Sequence, residues 1–356
     1  MNGKNDQLTQ LPELLLPWFA ANKRALPWRT DRAPYHVWLS EIMLQQTRVE
    51  AVRGYYARFL AALPTVADLA AADPDRLHKL WEGLGYYSRV RNLQAAARII
   101  MDEHGGEFPR EYDRIRALPG IGDYCAGAIS SICFEQPTPA VDGNVLRVWA
   151  RLLGDRRPVN EEQTKRACRA DLAPVYPAGR CGDFTQALME LGATVCLPNG
   201  APQCERCPLS SLCRAKNDEL WRQLPVKTPK KPRRSEDLTV FVLECGGAWA
   251  VRKRQASGLL AGLWEYPNVP GHLDAQEALA QAEAWGLRPQ SLEKMLERTH
   301  IFTHVSWQMR CYYLHVAARA EAFTWADRAA LQTEIALPTA FRMFSEFRES
   351  DSEGSE

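Results

Sequence analysis

Four cysteines, Cys196, Cys204, Cys207 and Cys213, fall within one short stretch, VCLPNGAPQCERCPLSSLC, separated by seven, two and five residues. A loop with this spacing can wrap one compact inorganic centre, and nothing else in the chain restricts its local fold as tightly. Four thiolates with no histidine among them suit a [4Fe-4S] cube, whose ligands must curl around it. A structural zinc site is the rival reading, although it more often shows two separated Cys-x-x-Cys knuckles; unliganded core thiols are a third.

The other six cysteines (Cys125, Cys133, Cys168, Cys181, Cys245, Cys311) are scattered singly through helix-like or strand-like runs. That is how small buried residues look in a reducing cytosol, not how a disulfide framework looks. A length of 356 residues with 46% hydrophobic residues predicts two or three packed domains. No stretch approaches the apolar length of a membrane span, and the polar start MNGKNDQL lacks the apolar core of a secretory signal. The expectation is a cytoplasmic, soluble chain with no membrane partner. A net charge of +1 excludes a uniformly basic surface, so any contact with nucleic acid must be local.

Two halves of different grammar follow one another. From Leu11 to Trp221 the apolar spacing is helical, with Val90, Leu93, Ala97 and Ile100 as an example stopped by Gly105-Gly106. Asn160, with Gln163 three residues on, predicts a further helix start resembling a capping box. At Pro225 the pattern breaks into PVKTPKKPRRSED, too polar and proline-rich to pack. Beyond it LTVFVLE and WAVRKR read as strands around a Gly246-Gly247 hairpin turn, Asp274 to Trp285 as a helix, and MRCYYLHV as another strand. The reading is therefore a multidomain chain: an all-α domain over 1–225, a basic linker over 226–237, an α/β domain over 238–348, and an acidic tail over 349–356.

Residues 118–129 read LPGIGDYCAGAI and residues 140–147 read AVDGNVLR. The first is a tight turn through Gly120 and Gly122 opening a helix, whose free N–H groups can hold a phosphate. Together with the cysteine loop, these segments resemble the helix-hairpin-helix DNA glycosylases that carry an iron-sulfur loop. Within them, SEIMLQQTRV at 40–49 and GLGYYSR at 83–89 are similar to the adenine glycosylases of the MutY type, which act on adenine mispaired with 8-oxoguanine. That resemblance runs from about Leu26 to about Phe347. In the family the gap between the first two cysteines is usually six residues; here it is seven, and Pro198, Asn199-Gly200 and Pro202 let the extra residue enlarge a turn.

Removing adenine from deoxyribose takes a proton for the departing base and a negative charge beside the sugar as it becomes an oxocarbenium ion. Glu41, amid Val37, Trp38, Leu39, Ile42, Met43 and Leu44, is expected to be buried with a raised pKa. The resemblance makes it the residue that protonates adenine at N7. Asp142 reads as an ordinary helix N-cap, a setting that keeps a carboxylate ionised, and the family places its catalytic aspartate there, with Asn144 in the same motif. Tyr124 occupies the position where endonuclease III relatives carry a nucleophilic lysine; no lysine occurs between Lys79 and Lys165. The chain therefore reads as a monofunctional glycosylase, with Tyr124 polarising the site beside Asp142.

The target base must also be turned out of the stack. By resemblance, Gln46 and Tyr86 wedge into the duplex with Thr47 near the lesion, and Arg29 and Gln186 line the adenine pocket. In the second half, GLLAGLWEYP and FTHVSW resemble a Nudix-like domain, in which Thr303 and His304 match an element that touches 8-oxoguanine. With the final Gly of the Nudix hydrolase pattern on Gly286, only Glu283 is in place, and Leu279, Ala280 and Ala284 stand where its Arg and two further Glu residues should be, so this half reads as a recognition module. What the resemblance implies is a monomer with a [4Fe-4S] cluster, acting on double-stranded DNA at adenine:8-oxoguanine mispairs, cytoplasmic and nucleoid-associated in a bacterium. The alternatives are a non-catalytic DNA-damage binder on the same scaffold and an endonuclease III type pyrimidine glycosylase and lyase.

Overall fold

The computed structural model describes residues 2–229 and 232–345. The acidic tail expected over 349–356, the end of the 238–348 domain and part of the linker lie outside the described residues. The chain divides into two compact units, Met1–Ala71 with Arg91–Lys230, and Ala72–Val90 with Lys231–Glu356.

The first unit is helical. Its helices are α1 (Asn2–Thr9), α2 (Leu11–Asn22), α3 (Pro34–Leu44), α4 (Val49–Ala62) and α5 (Val66–Ala71). After α6 (Pro74–Leu80), which belongs to the second unit, α7 (Ser88–His104) leads back into the first. There follow α8 (Tyr112–Ala117), α9 (Asp123–Phe134), α10 (Gly143–Leu153), α11 (Glu162–Leu172), α12 (Cys181–Thr194) and α13 (Arg214–Asn217). Leu11, Leu15 and Phe19 of α2 pack with Val145 and Trp149 of α10 and Phe184 and Leu188 of α12, as apolar residues three and four apart must. Helices α10 and α12 approach so closely that a Cβ on Gly192 would lie 2.5 Å from Cβ of Asn144. Any other residue there would displace the start of α10.

The second unit is a seven-stranded sheet with the path β3-β2-β1-β6-β5, β4 paired to β1 and β7 to β2. Its strands are β1 (Arg234–Cys245), β2 (Ala248–Lys253), β3 (Trp264–Glu265), β4 (Asn268–Pro270), β5 (Pro289–Ile301), β6 (Val305–Val316) and β7 (Thr324–Asp327). Helices α14 (Ala275–Ala284), α15 (Arg328–Thr333) and α16 (Thr339–Arg342) complete it. Val240 and Val242 enter one core with Trp307 and Phe341, while Phe241 and Leu243 enter another with Ala278, Ala282 and Leu314. Both faces of β1 are thus covered, which is why its centre is a continuous apolar run. Gly246 and Gly247, at φ +59° and +78°, supply the two left-handed residues that the tight β1–β2 hairpin requires. Asp274 and Glu277 form a reciprocal capping box at α14.

Three local expectations are corrected. Residues 72–90, which helical spacing assigns to the first half, are held by the sheet unit. Lys79 donates to the carbonyls of Leu331 (3.3 Å) and Ile335 (3.1 Å), Glu82 accepts from the N–H of Leu337 (2.9 Å), and Lys253 pairs with Asp75 (2.7 Å). Strand β1 starts at Arg234, inside the expected linker, because it runs parallel to β6 from Arg234↔Val305 onward. Asn160 does not cap α11; its side chain instead accepts from the N–H of Thr228 at 2.8 Å, and the capping position falls to Glu161.

Candidate active site

Helix α3 is buried along almost its whole length, with Val37, Trp38, Leu39, Ile42 and Met43 in the core. Glu41 sits among them and is only 6% exposed. Burial lifts its pKa to about 7, against the opposing pull of a hydrogen bond donated by the Tyr124 hydroxyl and of the Arg29 charge, with the charge of Asp142 adding to the rise. At neutral pH a large share of Glu41 is therefore the neutral acid. Tyr124 comes from the first turn of α9, and burial, followed by the neighbouring carboxylates, holds its pKa well above the ordinary value, so it stays a phenol donor. Its hydroxyl goes to Glu41, while the charge of Asp142 in the same cavity also acts on it.

Asp142 is the N-cap of α10, accepting from the N–H of Val145 at 2.7 Å and from Asn144 Nδ2 at 2.8 Å. The cap itself is as expected; its setting is not. Burial pushes its pKa upward, and the hydrogen bonds from Val145 and Asn144 with the charge of Arg147 offset only part of that push. The same bonds stabilise the ionised form and fix the carboxylate in place.

Glu41, Tyr124 and Asp142 line one cavity of about 350 Å³ together with Arg29, Gln46, Thr47, Asn144 and Gln186. The structure thus brings together every site residue expected in the first unit except the hairpin glycines and the cysteines. No lysine lines this cavity among the described residues. Sequence reasoning missed Trp28, Gln45, Arg24 and Glu190, all of which line it. Glu190 is fully buried and receives Arg24 Nε (2.7 Å) and Arg29 Nη2 (2.8 Å). Burial raises its pKa, but the two arginines outweigh burial and leave it below the usual range. Only the run FTQALMELG over residues 184–192, which contains Glu190 one helical turn after Gln186, held a signal for it.

Gln46 ends α3 with φ +59°, a left-handed backbone that costs a non-glycine residue about 1 kcal/mol or more and leaves its side chain exposed at the rim. In the hairpin between α8 and α9, Gly120 has φ +76° and a Cβ there would fall 2.7 Å from Cβ of Asn92. Gly122 caps α9, whose first N–H groups have no partner within the helix.

In the second unit, Phe302 N–H bonds the carbonyl of Val305 (2.8 Å), so Thr303 and His304 form the two-residue tip of the β5–β6 hairpin, and both are exposed. Tyr86 is 46% exposed with φ +46°, and its hydroxyl meets the Thr303 hydroxyl at 2.9 Å. Glu283, on α14, is exposed.

The four cysteines of the loop line one small cavity. Burial pushes the Cys207 thiol up to about 12, so it would ionise only against a cationic centre. Among the described residues, no group of three or more His, Cys, Asp or Glu side chains converges on a point that suits a single ion. The loop is tied to α10 by two buried arginines that the sequence did not single out: Arg147 donates to the Cys196 carbonyl (2.7 Å) and Arg151 to the Leu197 carbonyl (2.9 Å) and Cys196 Sγ (3.3 Å). The helix that Asp142 caps is therefore also the helix on which the cysteine loop rests.

Residues 39–174 match the family model of the HhH-GPD superfamily base excision DNA repair proteins, and residues 239–346 match the NUDIX domain. The chain is 36% identical to the adenine DNA glycosylase of Rattus norvegicus over 96% of this chain and 79% of that protein. It is 31% identical to the adenine DNA glycosylase of Buchnera aphidicola over 82% of this chain and 83% of the relative. Among solved structures it is similar to a thermostable thymine-DNA glycosylase, with 28% identity and TM-score 0.56 over 61% of this chain and all of that one. It is also similar to an endonuclease III–DNA covalent intermediate, with 25% identity and TM-score 0.51 over 60% of this chain and 98% of that one. No helix among the described residues is long and apolar enough to cross a membrane.

Proposed function

The chain belongs to the adenine DNA glycosylases of base excision repair, and on that premise we propose that the cavity around Glu41 and Asp142 hydrolyses the N-glycosidic bond of an adenine turned out of a duplex opposite 8-oxoguanine or guanine. The observation that carries this reading is the pair of carboxyls in one cavity, a buried Glu41 lifted to about 7 and a half-buried Asp142 fixed by helix-cap hydrogen bonds. Neutral Glu41 donates its proton to N7 of adenine, and the C1′–N9 bond breaks with its electrons going to the base. Ionised Asp142 stabilises the oxocarbenium ion that remains. Water adds to C1′, its proton passing to the Glu41 carboxylate, and an abasic site is left. Tyr124 orients Glu41, and Arg29 and Gln186 hold the base. With no lysine on the cavity wall among the described residues, no Schiff base forms and the enzyme is monofunctional.

Gln46, Thr47 and Asn144 would meet the duplex at the rim, and the α9 N-terminus behind Gly120 and Gly122 a phosphate. Tyr86, Thr303 and His304 would read the base opposite adenine. Cys196, Cys204, Cys207 and Cys213 fit a [4Fe-4S] cluster, since all four line one cavity and a multi-atom centre needs no single point of convergence. The cluster would brace the loop against Arg147 and Arg151 and supply no reacting group. The protein works as a monomer on chromosomal DNA in the cytoplasm.

The test is incubation with duplexes carrying adenine opposite 8-oxoguanine, adenine opposite guanine, or thymine glycol. Adenine should be released from the first two, fastest from the first, with the abasic strand intact until alkali is added. Release of thymine glycol with strand cleavage trapped by borohydride would overturn the reading. Metal analysis should find about four irons and four sulfides per chain; one zinc without sulfide would exclude the cluster.

A further inference from the structure

The cavity that holds Glu41 and Asp142 is followed by another. Arg24, Leu26, Trp28, Arg29, Ile132 and Gln186 line it and also line a second cavity of about 600 Å³. Beyond this shared wall the second cavity runs to Ala25, Thr30 and Arg32, which are exposed, and neither Glu41, Tyr124 nor Asp142 borders it. The two spaces lie on either side of this shared wall. One has the carboxyls and the rim residues Gln46, Thr47 and Asn144; the other has an outlet to solvent that carries none of them.

Hydrolysis leaves two products in one place. The abasic strand stays at the rim by which the nucleotide entered, so the free base cannot return that way while the duplex is bound. We propose that the second cavity is the exit for free adenine, which passes the shared wall and leaves while the DNA product remains on the enzyme. The proposal rests on reading the Glu41 cavity as the adenine site. Adenine is planar and neutral, and Trp28, Pro27 and Phe19 offer it an apolar route while Thr30, Gln186 and Asp183 offer polar edges. The wall has a fixed side and a yielding one. Arg29 is held by Glu190 and by the Arg24 carbonyl at 3.2 Å, whereas the Gln186 amide bonds the carbonyl of Gly182 in its own helix at 3.3 Å, a contact that a rotamer change releases.

The experiment uses full-length protein in excess over a short duplex with adenine opposite 8-oxoguanine. Glycosidic cleavage is read by alkaline strand scission, and free adenine is read in the flow-through of a filter that retains the protein–DNA complex. Wild type should deliver adenine to the flow-through with the DNA still retained. Ala25→Trp and Thr30→Trp, which fill the outer cavity from different positions, should cleave at the wild-type rate while free adenine appears about tenfold more slowly. Arg32→Ala removes the side chain that joins Glu135 to Asp183 at 3.0 Å on the outer wall, and should release adenine at least as fast as wild type. Adenine that stays on wild type until the duplex dissociates overturns the exit, as does wild-type release from either tryptophan variant or slowed release from Arg32→Ala. A wild-type protein that cleaves no duplex fails the site reading instead; normal cleavage with unaltered release fails only the exit.

Discussion

Glu41 and Tyr86 face opposite demands. Glu41 is 6% exposed, with burial shifting its pKa; Tyr86 is 46% exposed, on a left-handed backbone, with its hydroxyl on Thr303 at the tip of a hairpin. Proton transfer needs a dry setting to hold a carboxylic acid at neutral pH, whereas reading a duplex needs an apolar ring free to enter the stack. On the proposed reading the first is tuned before DNA arrives, and the second is to become buried only on binding. Substitutions at the two places should therefore separate: changes in the buried site alter rate, and changes at the exposed patch alter affinity and discrimination.

The largest separation comes from Glu41→Gln. An amide keeps the shape and accepts from Tyr124 but has no proton to give, so single-turnover adenine release should fall by about 10²- to 10⁴-fold with mismatch affinity retained. A rate near wild type would remove Glu41 from the chemistry.

A second effect of the same change is on stability. The folded pKa of Glu41 is raised from 4.5 to about 7, so burial disfavours the carboxylate, and the stability present below pH 4.5 is lost as pH rises through 7. The shift corresponds to roughly 3 kcal/mol. Glu41→Gln should therefore resist urea better than wild type at pH 8, with the advantage shrinking towards pH 4.5. Equal denaturation midpoints at pH 8 would contradict the burial argument.

The smallest effect belongs to the exposed patch. Tyr86→Phe removes the hydroxyl that meets Thr303 and should reduce the preference for 8-oxoguanine over guanine by about 1 kcal/mol, leaving the rate on saturating duplex unchanged. Thr303→Val, which keeps the shape and loses the hydroxyl, should match it, and additive losses in the double variant would show that the two groups act separately. These substitutions are a cleaner probe than ending the chain near Pro225. Residues 72–90 belong to the sheet unit, and truncation would strip Lys79 and Glu82 of their partners at Leu331, Ile335 and Leu337.

Much of the site was legible because its chemistry lies in short contiguous runs. The apolar neighbours of Glu41, the Asp-Gly-Asn cap and the cysteine loop each carry local signals. The partner of Tyr124 was not legible, since α3 and α9 meet only in the fold. Glu190 was missed for a related reason: a helix glutamate usually faces water, and only tertiary contact with Arg24 and Arg29 justifies burying it. The sheet was visible in its strand patterns, but the parallel pairing of β1 with β6 is non-local, so its start at Arg234 was hidden inside a stretch that reads as linker.

The central claim is that adenine leaves because a buried, neutral Glu41 protonates it. The pH dependence of single-turnover excision on saturating duplex tests this directly. The rate should be level well below the Glu41 pKa of about 7, fall to about half at it, and approach a tenfold loss per pH unit above it, as the neutral acid disappears. A rate that stays level or rises between pH 7 and pH 9 would contradict the account.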